Sequence, residues 1–295
     1  MGGDIYWGLA LMLGVCVAVF IAAQHISSRF SRRTAVTILA ITLIALVIFL
    51  KFLWDSPWLI KILPLRNVIV LANFQVPLSA LLAGLAWGLI KGTSRRRLLF
   101  VVPLLAISFW RGYGRLFDSP PPTRVRWKGD VCRQTSNATC SAAAGATLLR
   151  AYGIDTSEEE MARLSLTRAD GTTVHGRYRG LVMKTVGTPW QVEPIVSASV
   201  DELRQLASPQ SPIILSVGLP PGAHAGEPGD GSGVVDRRYI DTYGWLPGMR
   251  HTVVLFGFTS DGKVDVGDPS VGRELWDVAD LHVLWQGNGF RLIAR

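Results

Sequence analysis

Up to about residue 117 the chain is apolar in long runs, and after that its rhythm changes. Ile5 to Ala23 and Thr34 to Leu53 each approach the ~20 apolar residues that a bilayer requires, while Phe74 to Ile90 and Leu98 to about Gly112 are shorter but nearly free of charge. These runs predict four transmembrane helices, over about 5–23, 34–53, 74–90 and 98–112. The segment WLIKILPLRNVIVLAN, 58 to 73, is apolar as well, but Lys61, Pro64 and Arg66 break it. It reads as an interfacial segment over about 58–72 on the outer face. The first run does not have the form of a secretory signal, because its basic residues follow the apolar stretch instead of preceding it.

DSPPPT, 118 to 123, predicts an extended linker, since each proline restricts itself and its predecessor. From 124 to 295 short helical and strand-like runs alternate with turn signals, as in a compact α+β domain. A helix opens at Cys140, a second near Ser157 with Glu160 at capping-box spacing, a third covers Tyr178 to Val186, and a fourth starts near Ser199. PIILSVGL (212–219), HTVVLFGF (251–258) and KVDV (263–266) read as strands, and LHVLWQG with GFRLIA as a closing hairpin. GLPPGAHAGEPGDGSG, 218 to 233, is low in complexity. The whole connection from Leu219 to Arg250 reads as a lid or binding loop, with Tyr239, Tyr243 and Trp245 as its apolar lining.

Charge sharpens this division. The 295 residues carry a net +8, but up to residue 117 there are 12 Lys and Arg against 2 acidic residues, and from 118 onward 18 against 20. The basic excess belongs to the membrane loops, which removes the main support for nucleic-acid binding. Arg29, Arg32 and Arg33 lie in the first loop and Lys91, Arg95, Arg96 and Arg97 in the third. The positive-inside rule places both loops in the cytoplasm, so the N-terminus and the region after the fourth helix are expected outside.

Chemistry enters with QTSNATCSAAAGATLLRAYG, 134 to 153, where Cys140 stands at the first turn of a helix. A base for this thiol is offered by His251, which begins a strand. The TSDG turn at 259–262 returns the chain through KVDVGDP, pairing Phe258 with Lys263 and Val253 with Asp268. Asp268 is then diagonal to His251 on one face, about 7 to 8 Å away between backbones and within reach of the imidazole. A carboxylate that orients a histidine facing a thiol at a helix N-terminus is a nucleophile, base and orienter set.

The order Gln134, Cys140, His251, Asp268-Pro269, with helices first and an antiparallel sheet afterward, resembles the papain-like cysteine peptidases that process bacteriocin precursors after a double-glycine leader. The likeness covers roughly residues 128 to 290. It implies an α-helical membrane region followed by an α+β papain-like peptidase domain, with Cys140 as nucleophile, His251 as base and acid, Asp268 as orienter and Gln134 as a side-chain donor to the oxyanion. It also implies a peptide or protein precursor as substrate, cut at a small-residue junction such as Gly-Gly. Two departures stand out: Thr139-Cys140-Ser141 replaces the frequent Asp-Cys-Gly, and the chain has no GxxxxGK[ST] loop, so any export system is a separate partner. Two other classes remain open, a peptide-binding module that does not cut and a transpeptidase in which an amine replaces water.

The remaining candidates carry weaker signals. Cys132 either pairs with Cys140 in a disulfide or stays free and buried, and Cys16 reads as membrane packing. His175 reads as a solvated loop residue or a cleft residue, His224 lies in the glycine-rich loop, and His282 in an apolar run reads as a core histidine. Asn137 or Thr139 is expected to cap the Cys140 helix, although Asn137-Ala138-Thr139 also matches a glycosylation acceptor. There is no HExxH and no paired CxxC, so neither a metal nor a cofactor is expected.

Overall fold

The computed structural model describes residues 2–226 and 234–295. Part of the low-complexity stretch, 227–233, lies outside the described residues. Two compact units emerge, Met1–Asp118 and Ser119–Arg295.

The first unit consists of helices. α1 spans Gly3–Arg29, and α2, Arg32–Ile48, is capped by Ser31, whose hydroxyl accepts from the Thr34 N–H. A π-helical stretch, Phe49–Leu53, extends α2. α3 (Pro57–Ile62) has the proline at its first position, where the missing N–H costs nothing, and α4 is the single turn Val68–Leu71. α5 is Gln75–Leu89 and α6 is Ser94–Tyr113. Among the described residues, three stretches are long and apolar enough to cross a bilayer: Gly3–Arg29, Arg32–Leu53 and Val68–Leu89. α6 is not among them, because Arg95, Arg96 and Arg97 occupy its first turn and Pro103 lies inside it. The expected interfacial segment also resolves differently, since its first half is α3 while α4 joins α5 in the third apolar stretch. α5 lies against α1 at Gly84 and Gly88, where an added Cβ would stand 2.5 Å from the Phe20 carbonyl oxygen and 1.8 Å from Ser27 Oγ. Only glycine permits that approach.

The second unit begins with a short hairpin, β1 (Trp127–Lys128) and β2 (Val131–Cys132). The helices α7 (Cys140–Ala151), α8 (Glu158–Leu164) and α9 (Val174–Thr185) follow. After them come β3 (Trp190–Val196), α10 (Val200–Leu206), β4 (Ile213–Val217), and a parallel pair of short strands, β5 (His224–Gly226) with β6 (Val234–Asp236). The chain ends with β7 (His251–Phe258), β8 (Val264–Asp268), β9 (Gly272–Trp276), α11 (Val278–Leu284) and β10 (Trp285–Ala294). Six strands form an antiparallel sheet in the order β3-β10-β4-β7-β8-β9. One face packs on a core in which Ile213, Leu215, Val253 and Leu255 meet Leu203 of α10 and Leu281 of α11. Alternation sends Thr252 and Ser216 to the opposite face, where they meet α7 and α9.

Several local expectations need correction. The closing hairpin does not form. Asp277 and Asp280 make a reciprocal capping box that starts α11, so LHVL is helical with Leu281 and Leu284 turned inward. β10 is then one long strand, inserted between β3 and β4. α9 begins four residues earlier than Tyr178, because Thr173 caps it by accepting from the Gly176 N–H. His175 consequently lies buried in its first turn, not in a solvated loop. His282 lies on the exposed side of α11 and not in the core. Thr139 is the residue before α7, but its hydroxyl bonds back to Ser136 and does not cap the helix.

Candidate active site

α7 presents Cys140 as its first residue, with 7 % of its surface exposed. No side chain caps this helix, so its positive end is left to the sulfur. The imidazole of His251, at the start of β7, neighbours the thiol and interacts with it. His251 Nε2 lies 2.8 Å from Asp268 Oδ1 on β8, which leaves Nδ1 as the ring nitrogen for the sulfur. Asp268 Oδ1 also accepts from the Ser270 N–H at 2.6 Å. The Trp245 ring stands edge-on to the imidazole at 5.9 Å.

The register that joins His251 to Asp268 is reached by an unexpected route. Next to the turn, Phe258 pairs with Val264 and Gly257 with Asp265, one residue away from expectation. A bulge at Phe256 removes the offset, so that Leu255 faces Val266 and Val254 faces Gly267. Gly257 supplies the bend with φ of 143°, a conformation that L side chains rarely adopt.

Gln134 reaches the same place through its backbone, whose N–H donates to the Pro269 carbonyl at 2.9 Å. Its side-chain Oε1 is buried and accepts no hydrogen bond among the described residues. The loop that carries Gln134 is pinned by Glu158. This fully buried carboxylate accepts from the Thr135 N–H and from the Thr135 hydroxyl, both at 2.7 Å. From the sequence Glu158 reads as one of three glutamates suited to a helix dipole, and nothing there marks its burial.

Electrostatics polarise the pair. Burial pushes the Cys140 thiol up, but the hydrogen bond and charge of His251, with smaller help from Arg177 and Thr252, outweigh it and hold the thiol below its ordinary value. Burial likewise opposes the charged form of His251, yet the Asp268 carboxylate and the Cys140 sulfur raise it to about 10. Asp268 stays below the usual carboxylate value, because the bond to His251 and those to Ser270 exceed the effect of burial. The arrangement thus favours thiolate and imidazolium together at neutral pH.

A cleft of about 680 Å³ opens beside this group, lined among others by Gln134, Tyr239, Trp245, His251, Asp268 and Trp276. Tyr239, Tyr243 and Trp245, the residues expected to line a binding loop, are all on its wall. Cys140 is not, but the imidazole that neighbours it is. Cys132 is free, as is Cys140. Burial, followed by the nearby Glu158 carboxylate, pushes the Cys132 thiol up to about 12, so the two thiols differ sharply in character. Among the described residues, no group of three or more His, Cys, Asp or Glu side chains is placed to hold a metal ion.

The sequence model of the Peptidase_C39 like family matches residues 129–290, more than half of the chain, a span within which Gln134, Cys140, His251 and Asp268 fall. The protein belongs to the C39-like peptidases. Membership makes it a cysteine peptidase by family, with an α+β peptidase domain behind apolar N-terminal helices. No curated protein matches it. Several solved structures are similar to it, among them these three. The peptidase domain of Streptococcus ComA, described as a bi-functional ABC transporter involved in a quorum sensing pathway, is 19% identical, with 55% of this chain and 96% of that one covered and a TM-score of 0.39. The peptidase domain of Streptococcus mutans ComA is 18% identical, with 56% and 99% covered and a TM-score of 0.35. A double glycine motif protease from an AMS/PCAT transporter, in complex with its leader peptide, is 16% identical, with 60% and 100% covered and a TM-score of 0.38.

Proposed function

We propose that this C39-like peptidase is anchored in the cytoplasmic membrane and cuts a peptide or protein precursor on the extracytoplasmic side, at a small-residue junction of the Gly-Gly kind. The observation that carries this reading is the chain of contacts from Cys140 through His251 to Asp268 at the N-terminus of α7. The Cys140 thiolate attacks the scissile carbonyl carbon, and the electron pair moves to the carbonyl oxygen. The Cys140 backbone N–H and the Gln134 side chain hold that oxygen. A half-turn of the Gln134 amide exchanges its unpartnered Oε1 for Nε2 in the same space, which supplies the needed donor. Collapse expels the amine, which takes a proton from His251, and leaves a thioester on Cys140. Water then gives a proton to His251 as it attacks the thioester, and the thiolate departs. Asp268 fixes the ring orientation throughout.

Small-residue specificity follows from the family resemblance, and the 680 Å³ cleft supplies room for a peptide beside the site. An export system as partner comes from that resemblance, and its being separate comes from the missing GxxxxGK[ST] loop. The extracytoplasmic side rests on α6 as a fourth crossing. Its 20 residues reach about 30 Å, and it exposes Leu99, Phe100, Ile107 and Trp110, while Arg95 to Arg97 remain at the end expected in the cytoplasm. The test is substrate capture. A Cys140→Ala chain, purified from its own membrane, is expected to retain a peptide with a small-residue junction that the unmodified protein cleaves. Retention of peptides that the unmodified protein leaves whole would instead identify a binding module.

A further inference from the structure

Behind the thiol lies a buried polar cluster to which the mechanism above assigns no role. Ser141, Thr252, Ser216 and Arg177 are each at most 4 % exposed. Ser141 Oγ and Thr252 Oγ1 are 2.7 Å apart and join the residue after Cys140 to the residue after His251. Arg177 Nη1 donates to Thr252 Oγ1 at 3.5 Å, and Nη2 donates to Ser216 Oγ at 2.8 Å. The Ser216 hydroxyl donates onward to Asn288 Oδ1 at 2.7 Å, so its oxygen is the acceptor for Arg177. The bond to Ser141 thus sets the Thr252 hydroxyl beside the residue that carries the sulfur, and Thr252 helps to hold the Cys140 thiol down.

Donor and acceptor rules fix the directions in this cluster. A guanidinium only donates, so Thr252 Oγ1 accepts from Arg177 with one lone pair. If the other accepts from the Ser141 hydroxyl, the single Thr252 proton points at the sulfur. A thiolate accepts that bond. We propose that the Thr252 hydroxyl is a second donor to the Cys140 thiolate, beside His251, with its proton aimed at sulfur because Arg177 and Ser141 occupy its oxygen. Thr252 touches the reacting atom, whereas Ser141 and Arg177 act through it as positioning residues. The inference rests on Cys140 as the peptidase nucleophile.

The charged groups facing the sulfur are His251 from β7, Arg177 from α9 and, through the imidazole, Asp268 from β8. Glu158 of α8 and Cys132 of β2 face each other instead. Thr252→Val keeps the shape and removes the proton without altering any of these charges. Thr252→Ser keeps the hydroxyl.

The experiment follows alkylation of Cys140 by iodoacetamide across pH, by mass spectrometry of the Cys140 peptide from the full chain in detergent. The midpoint is expected to rise by about one pH unit in Thr252→Val, making alkylation about tenfold slower on the acid side. Thr252→Ser is expected to return to the original midpoint, and Ser141→Ala to move the same way by less. An unchanged midpoint in folded Thr252→Val, or a serine variant that fails to restore it, overturns the proposal. Should the valine variant not fold, an unmoved midpoint in Ser141→Ala overturns it as well. Turnover of the same preparations is recorded separately. Cleavage that survives full alkylation of Cys140 would refute the peptidase mechanism, whatever the midpoints show.

Discussion

His251 and Asp268 meet at 2.8 Å because a single extra residue, Phe256, corrects the pairing of the two strands that carry them. Without that bulge the offset at the turn would continue toward the strand ends and carry Asp268 to the opposite face. Gly257→Val opposes the φ of 143° on which the bulge depends and is therefore expected to lower turnover more than Phe256→Leu, and kcat of the two variants on one cleavable peptide checks this. Equal activity would mean that the register is set elsewhere.

Asp268→Asn is expected to slow cleavage less than loss of the thiol does, with KM for the peptide nearly unchanged. It also narrows the pH range of activity. In the unmodified protein the alkaline limb follows His251 near 10, and without the carboxylate the imidazolium releases its proton at lower pH. The folded His251 value lies above the unfolded value near 6.5, so its stabilisation is complete below about 6.5 and is lost as pH rises toward 10. For Asp268, lowered by folding, stabilisation is present above the unfolded value of 3.8 and is lost as pH falls through the folded one. Thermal melts from pH 6.5 to 10 are expected to decline more for the unmodified chain than for Asp268→Asn.

The two cysteines of the second unit are expected to behave oppositely. Cys140, with its thiol held down, takes iodoacetamide rapidly near neutral pH, while Cys132, pushed up to about 12, reacts slowly until the chain unfolds. Peptide mapping after brief labelling measures both. A Cys132 to Cys140 disulfide in active protein would contradict the assignment.

Much of this site is legible in the sequence because the turn signal brings the strands of His251 and Asp268 side by side and a small-residue helix announces Cys140, but the bulge at Phe256 that puts the pair on one face is not. The misreadings have physical causes. LHVL is too short for periodicity to separate helix from strand, and Asp277 with Asp280, which decides it, is an unusual acidic capping pair. Ser141 and Thr252 are 111 positions apart, and Arg177 and Thr252 are 75 apart, so only the folded sheet brings them together. Glu158 and Thr135 are 23 apart and meet only once α8 packs beside the loop before α7.

Glu158→Ala removes the acceptor for both Thr135 donors and frees the loop that holds Gln134. A stability loss of about 1–3 kcal/mol is expected from the stranded N–H. A fall in kcat of up to about 10²-fold follows from misplacement of the oxyanion donor. Denaturant melts and kcat separate the two effects. Unchanged kcat in a destabilised but folded variant would remove Glu158 from the positioning of Gln134.

The central claim is that Cys140 and His251 act as one nucleophilic unit, and the most direct measurement is kcat of Cys140→Ala, His251→Ala and the double variant on one cleavable peptide, with melts to establish folding. Each single change is expected to remove nearly all turnover, and the double variant to be little worse than either, since each partner is useless without the other. Near-normal cleavage by a folded Cys140→Ala or His251→Ala chain would contradict the account.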